Sequence, residues 1–202
     1  IGHSINMAKK IVSENNIFLS TDCEEISKIG KDLGAQIIKR PQNLAEDNSS
    51  EWLAWQHAIN WVLSKHGAFD IFLSLPSTAP LRIEKDVRES LKKFIQRKDA
   101  DILLTISKSK KSPWFNMVKI YKDSTVSLIN SSKDFNRRQD TPPTFDITTV
   151  AYVSTPDHIL KNKSIWDGTV LAHEIPLKRA VDIDDILDFE FAKFLAERDS
   201  DI

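Results

Sequence analysis

Apolar positions along this chain switch repeatedly between a helical and a strand period. Residues 2–14, "GHSINMAKKIVSE", place Ile5, Ala8, Ile11 and Val12 on one face, which predicts an opening helix. "NIFLSTD" reads as a short buried strand with a polar exit at Ser20, Thr21 and Asp22. Ile26, Ile29 and Leu33 then return at helical spacing over residues 24–33, and Gly34 suits the left-handed residue that closes a helix. "AQIIKRP" is a second strand, followed by a polar loop whose Asn48, Ser49 and Ser50 are N-cap candidates for "EWLAWQHAINWVLSKH". Trp52, Trp55, Ile59 and Val62 form the stripe of that helix. "FDIFLSLP" is the most strand-like run, "LRIEKDVRESLKKFIQRK" turns Val87, Leu91 and Phe94 inward, and "ADILLTIS" is strand again. Alternation repeated this often predicts an α/β fold: a mostly parallel sheet with helices on both faces.

Between residues 108 and 150 the pattern changes to short β-like runs, "NMVKIYK", "TVSLI" and "DITTVAYVS", separated by a polar, proline-bearing stretch. This predicts a β-rich insertion or arm. The chain then returns through "TPDHILKN", "TVLAHEIP" and "RAVDI" to a last helix, "DILDFEFAKFLAER", with Ile186, Phe189, Phe191 and Leu195 as its apolar residues. At 202 residues, one domain spanning 1–202 is the expectation.

Composition narrows the partners. With 28 Lys+Arg against 29 Asp+Glu the net charge is −1, so no global field recruits nucleic acid or an anionic membrane. No apolar run approaches the ~20 residues that cross a bilayer, and the first residues lack the order of a signal peptide. The single cysteine, Cys23, has no intramolecular partner, which fits a reducing compartment, so a cytoplasmic setting is expected. The five glycines form neither GxGxxG nor GxxxxGK[ST]. The five histidines show no HxxxH spacing and there is no GxSxG elbow, so neither a zinc site nor a serine hydrolase is indicated.

The chemistry gathers in "KRAVDIDDILDFEFAKF", where Asp182, Asp184, Asp185 and Asp188 crowd a junction between a predicted strand and a helix. If "RAVDI" is a strand, Asp182 and Asp184 project to the same side. Adjacent carboxylates repel unless a cation lies between them, and Mg²⁺, which takes one or two carboxylates plus water and phosphate oxygens, is the natural occupant. The alternative is that these residues cap and favour the last helix; that reading is preferred for Asp185 and Asp188, and both stay open for Asp182 and Asp184. Ligands in open α/β sheets collect beyond the carboxyl ends of the strands, where "STD", "KRP" and "LPSTAPLR" also lie. There Arg40 and Arg82 offer forked donors to phosphate or base oxygens. Arg137 and Arg138 fall in a separate loop, "NRRQDTPPTFD".

Taken in order, "FLSTDCEEISKIGKDLGA", "KRPQNLAED", "LPSTAPLR", "RRQDTPPTFDITTVAYV" and "VDIDDILDFEFA" make the chain resemble the sugar-acid cytidylyltransferases of the acylneuraminate (CMP-sialic acid synthetase) type, over residues 1 to about 197. The resemblance implies a Rossmann-like sheet of the nucleotide-diphospho-sugar transferase type, with a dimerisation arm in 108–150. It implies transfer of CMP from CTP to the anomeric hydroxyl of a nine-carbon 2-keto sugar acid, with release of pyrophosphate, by a homodimer. Carried across, Asp182 and Asp184 match the Mg²⁺-binding D-x-D and are the implied catalytic pair. Arg40, Ser50, Ser77 and Thr78 fall at nucleotide-binding positions, and Arg82, Arg138, Gln139 and Thr148 on the sugar-acid side.

Departures from the family pattern carry expectations of their own. The family has a first strand and a glycine-rich loop, "RxGSKxxxxKN", ahead of the opening helix; this chain begins at Ile1-Gly2-His3, so the loop is expected to be missing and the chain inactive without it. Pro76 and Ala79 replace a glutamine and a hydroxyl residue of "LQPTSPLR", Thr148-Thr149 stand for "NG", and Phe115 stands for a lysine. These positions line the pockets of the relatives, so legionaminic or pseudaminic acid is expected as readily as sialic acid. Two other classes remain: a non-catalytic sugar-nucleotide-binding dimer, and a sugar nucleotidyltransferase or D-x-D glycosyltransferase using another nucleotide.

Overall fold

Strands and helices follow one another in the order the pattern predicts. The computed structural model describes residues 1–46, 48–131, 135 and 137–198. In it α1 (Gly2–Ile11), β1 (Phe18–Thr21), α2 (Glu24–Asp32), β2 (Gln36–Lys39), α3 (Glu51–His66), β3 (Phe72–Ser74), α4 (Glu84–Gln96) and β4 (Ile102–Lys108) alternate. A hairpin of β5 (Val118–Ile120) and β6 (Val126–Leu128) precedes β7 (Phe145–Ser154), α5 (Pro156–Lys161), β8 (Val170–Glu174) and α6 (Ile186–Arg198). Gly34 ends the α2 turn at φ +81°, the left-handed conformation expected of it.

The main sheet has the order β3-β7-β4-β8, and β1-β2 forms a separate parallel pair. β4 and β8 are parallel, whereas β7 runs antiparallel to both β3 and β4. The expected α/β sheet is present, with two refinements. The sheet has an antiparallel strand at its centre, because β7 arrives from a hairpin and not from a crossover helix, so no rule obliges it to run parallel. The arm is also shorter than 108–150: β5 and β6 form their own small sheet, while "DITTVAYVS" is a core strand.

Side-chain alternation on β4 and β7 sorts the core into two layers. Ile102, Leu104 and Tyr152 face Trp52, Trp55 and Ile59 of α3 and Ile159 of α5. Leu103 and Val153 face Phe94 of α4 on the other side. Trp55 stacks at 5.1 Å from Tyr152 and 5.5 Å from Phe72, and the buried Trp52 indole donates to Asn162 O at 3.0 Å. Four inward residues predicted on α3 and two of three on α4 are buried.

Two helices turn out less buried than their patterns suggest. In α2 it is Gly30 that is buried, while Ile26 and Ile29 stay about 40% exposed, because a sheet two strands wide covers only a narrow strip of the helix. A Cβ on Gly30 would collide with the Leu19 side chain of β1, so glycine permits this close approach. In α6 only Ala192 is buried among the described residues, and Ile186, Phe189 and Phe191 are largely exposed.

Between β1 and β3, which no ladder joins among the described residues, lies an apolar slot of about 400 Å³. Its walls are Leu19 and Leu73 from the two strands, Ile5 and Ala8 from α1, and Ile59 and Val62 from α3. Leu103 is fully buried, whereas Leu19 is half-buried and borders the slot. Truncating Leu103 to Ala is therefore expected to cost ~3 kcal/mol and Leu19→Ala only ~1 kcal/mol, because the second removes fewer contacts. Urea denaturation of both variants checks the difference; equal losses would show that the slot is closed.

Candidate active site

The strands of the first half end in polar turns on one edge of the molecule. Arg40 follows β2 directly. Its N–H donates to Thr21 O at 2.9 Å, and its guanidinium reaches Ser20 O at 2.8 Å and Ser20 Oγ at 3.2 Å. The side chain is thereby tied across the end of β1 while one terminal nitrogen has no protein partner among the bonds of the described residues.

The acidic junction divides into two pairs. Asp185 Oδ1 accepts from Leu187 N at 2.8 Å and Asp188 N at 3.0 Å, and Asp188 Oδ2 accepts in return from Asp184 N at 3.1 Å and Asp185 N at 3.3 Å. This reciprocal capping box starts α6 and accounts for Asp185 and Asp188 as the sequence suggests. The preceding residues differ from expectation: 180–183 form no strand, and a single backbone bond, Ile183 N to Thr78 O at 2.9 Å, fastens them to the β3–α4 loop. A strand needs a partner ladder, and none reaches this segment. Asp184 is exposed, whereas Asp182 is half-buried and its Oδ1 is enclosed without a hydrogen-bond partner.

Electrostatic coupling shows what surrounds Asp182. Partial burial raises the pKa of the Glu51 carboxyl at the start of α3, against a hydrogen bond from Trp55 and the pull of Arg40, with Asp182 raising it further. Burial pushes Tyr152 up to about 12, with Glu51 and Asp182 adding to the shift. Burial also lowers Arg82 to about 10, opposed by Asp182. Arg40, Glu51, Tyr152, Arg82 and Asp182 thus form one linked group. Glu51 and Tyr152 carry no motif; the available signal was that Glu51 directly follows the predicted N-cap Ser50, beyond the end of β2.

Arg82 is only 5% exposed, and its guanidinium donates to Ser4 Oγ at 3.0 Å, Thr149 O at 3.2 Å and Pro76 O. It clamps α1, the β3–α4 loop and β7 beneath the site. Thr148 is likewise interior, its hydroxyl donating to Thr105 Oγ1 at 2.8 Å. The register between β4 and β7 jumps from Leu104↔Tyr152 to Thr105↔Thr148, so three β7 residues bulge out of the ladder. The bulge turns the next residue, Thr149, to the site, where Thr78 Oγ1 lies 3.3 Å from its hydroxyl. Ser77 and Ser50 are exposed, and Ser50 makes no side-chain cap bond. Arg138 and Gln139 lie in an exposed 3₁₀ turn, Arg138–Asp140, where Arg137 pairs with Asp140 at 2.8 Å and Arg138 donates to Lys110 O. No bond among the described residues connects that turn to the Asp182 group. Asn136, which opens the same loop, lies outside the described residues.

An enclosed carboxylate oxygen without a donor, coupled to a second carboxyl, fits a hard cation. No cluster of three His, Cys, Asp or Glu suited to a metal occurs among the described residues. Two carboxylates at most would come from the D-x-D, which suits Mg²⁺ completed by water and phosphate oxygens.

No protein-family model matches the chain. Post-translational flagellin modification protein B of Campylobacter coli is 29% identical over 199 residues, covering 96% of this chain and 83% of that protein. CMP-N,N'-diacetyllegionaminic acid synthase of Campylobacter jejuni is 27% identical with the same coverages. A pseudaminic acid cytidylyltransferase of that species is 27% identical over 196 residues, 96% of this chain and 84% of the relative. Two solved structures share the fold: CMP:2-keto-3-deoxy-manno-octonic acid synthetase complexed with CTP, with TM-score 0.59, 13% identity and coverages of 96% and 88%, and 4-diphosphocytidyl-2C-methyl-D-erythritol synthase of Anaerococcus prevotii, with TM-score 0.66, 14% identity and coverages of 98% and 88%. Along nearly its whole length, and in its mixed α/β fold, this chain is similar to the sugar-acid cytidylyltransferases.

Proposed function

We propose that the protein transfers CMP from CTP to the anomeric hydroxyl of a sialic-acid-like nine-carbon 2-keto sugar acid, releasing pyrophosphate. The observation that carries this reading is the enclosed, donorless Asp182 Oδ1 beside Glu51 and within the field of Arg82, at the edge where Arg40, Ser77 and Thr78 gather. The names of the relatives supply the nucleotide and the sugar class, with legionaminic and pseudaminic acids foremost.

In this reading Asp182 and Asp184 hold Mg²⁺, which when bound neutralises triphosphate charge and polarises the α-phosphorus. Arg40, already tied to Ser20, presents its remaining nitrogen to the nucleotide. Ser50, Ser77 and Thr78 add hydroxyls there, and Thr149 takes the place expected of Thr148. Arg138 and Gln139 serve the sugar acid, while Arg82 holds the floor in shape. The sugar oxygen bonds to the α-phosphorus as the bond to the β-phosphate oxygen breaks, and the hydroxyl proton is lost. The first strand and glycine-rich loop expected ahead of α1 also belong to this proposal, supported by the slot between β1 and β3 with its two open edges. A cytoplasmic setting fits the free Cys23, and no helix among the described residues is long and apolar enough to cross a membrane.

A homodimer completes the reading. Val118, Ile120 and Val126 on the β5–β6 hairpin are 54%, 73% and 59% exposed, and a two-stranded ribbon cannot bury its own apolar face. A second copy presenting the same face across a two-fold axis covers it. Ile120→Asp is expected to shift the protein to monomer in sedimentation equilibrium at micromolar concentration; an unchanged mass would remove the hairpin from the interface.

Pyrophosphate release tests the reaction, with CTP, Mg²⁺ and a panel of nine-carbon 2-keto acids, using the complete natural protein beside the 202-residue chain. Release with CTP and not with other nucleotides is expected from the complete protein. No release with any sugar or nucleotide from folded protein would favour a binding module. Asp182→Asn and Asp184→Asn are each expected to lower turnover at least ~100-fold with the fold retained, a loss of the size seen when a transition-state charge contact is removed; normal turnover would sink the metal assignment.

Glu51 gives a pH prediction. Its folded pKa is raised, so the unfolded chain releases this proton first and stability falls as pH climbs from ~4 through the folded value. Glu51→Gln removes that loss. Its melting temperature should exceed that of the unsubstituted protein at pH 7 and match it near pH 4; an advantage independent of pH would refute the assignment.

A further inference from the structure

We propose that the buried ion pair between Asp86 and Arg179 is the positioning device for the D-x-D carboxylates, so that its geometry sets divalent-cation affinity. This inference rests on the metal-binding reading of Asp182 and Asp184. Arg179 Nε and Nη2 each donate to Asp86 at 2.8 Å, one to each carboxylate oxygen. Only 13% of the arginine side chain and 4% of the aspartate side chain are exposed. The pair is bidentate and largely screened from solvent, the arrangement in which an arginine fork fixes direction as well as distance.

Its place in the chain gives the pair leverage. Arg179 closes the 3₁₀ turn Leu177–Arg179, three residues before Asp182. Between them Ala180 donates its N–H to Leu177 O and packs against Ala79, Val150 and Ile175, and beyond Asp182 the bond from Ile183 N to Thr78 O is the next backbone anchor. Val181 adds an apolar contact with Leu81 and Ala192. With no strand ladder among the described residues, Asp182 takes its position from anchors of this kind, and the Asp86 pair is a charged one.

The other end of the pair matters equally. Asp86 Oδ2 also accepts from Ile83 N at 3.1 Å, the residue directly after Arg82, and so starts α4. One carboxylate therefore fixes both the segment carrying Arg82 and the segment carrying Asp182, two side chains that sense each other's charge. Rotating the Arg179 fork would displace Asp182 relative to Arg82 and to Glu51. Outer groups that orient metal ligands typically change metal affinity 10–100-fold when altered.

The test uses the complete protein and Mn²⁺ as the probe, titrated by electron paramagnetic resonance, with folding checked by near-ultraviolet circular dichroism. Arg179→Lys keeps the charge and loses the fork. The double variant Asp86→Asn with Arg179→Gln leaves no unpaired buried charge and guards against a variant that fails to fold. Both are expected to weaken Mn²⁺ binding about 10-fold, against near-complete loss in Asp182→Asn. The Mg²⁺ concentration for half-maximal turnover should rise by the same factor, with KM for CTP at saturating Mg²⁺ unchanged. Lowered melting temperature with unaltered Mn²⁺ affinity in both variants would overturn the proposal, as would absence of Mn²⁺ binding by the unsubstituted protein. Weakened Mn²⁺ binding in a protein that transfers no CMP would uphold the positioning role and refute the cytidylyltransferase reading alone.

Discussion

The guanidinium of Arg82 holds together parts of the molecule that no β-ladder joins. Among the described residues β1 and β2 pair only with each other, so the first unit has to be attached to the main sheet by side chains and helix contacts. Arg82 contributes to that attachment through Ser4 of α1, while it also contacts Pro76 after β3 and Thr149 of β7. A charge so deeply placed is costly to desolvate, and three oxygens offset that cost only while all three stay in position. The same requirement keeps the floor of the site in one arrangement.

Much of the fold was legible because it rests on long periodic segments. Trp52, Trp55, Ile59 and Val62 could be assigned to one face of α3, and Gly34 to the end of α2, from local rules alone. Strand direction was not legible. A period of two is the same for a strand entering parallel or antiparallel, so the antiparallel run of β7 follows from its connection and not from its side chains. The exposed apolar side chains of α6 were equally hidden, since a sequence shows which residues want cover and not whether cover is near.

In the candidate site, legibility followed the reach of the interaction. Asp185 and Asp188 stand just before an apolar run, and that was enough to foresee that they serve the start of α6, though not their reciprocal box. Thr148 and Thr149 were transposed because a bulge centred on Thr105 reverses which one faces outward. Nothing in "TFDITTVAYV" announces the bulge, whose cause is a hydroxyl on another strand: Thr105 Oγ1 accepts from Ala151 N at 3.0 Å and fills the gap in the ladder. Glu51 and Tyr152 depend on contacts between elements far apart in sequence, which no motif encodes.

The slot bounded by β1 and β3 bears on how the chain behaves in a crowded solution. Two strand edges that no ladder pairs among the described residues, walled by Leu19 and Leu73, make a template for an extended apolar segment. Neither edge carries a proline, and the flanking Phe18, Leu19, Phe72 and Leu73 offer no charge to turn such a segment away. A gap inside the sheet is thus an association hazard that a nearly neutral surface does little to oppose.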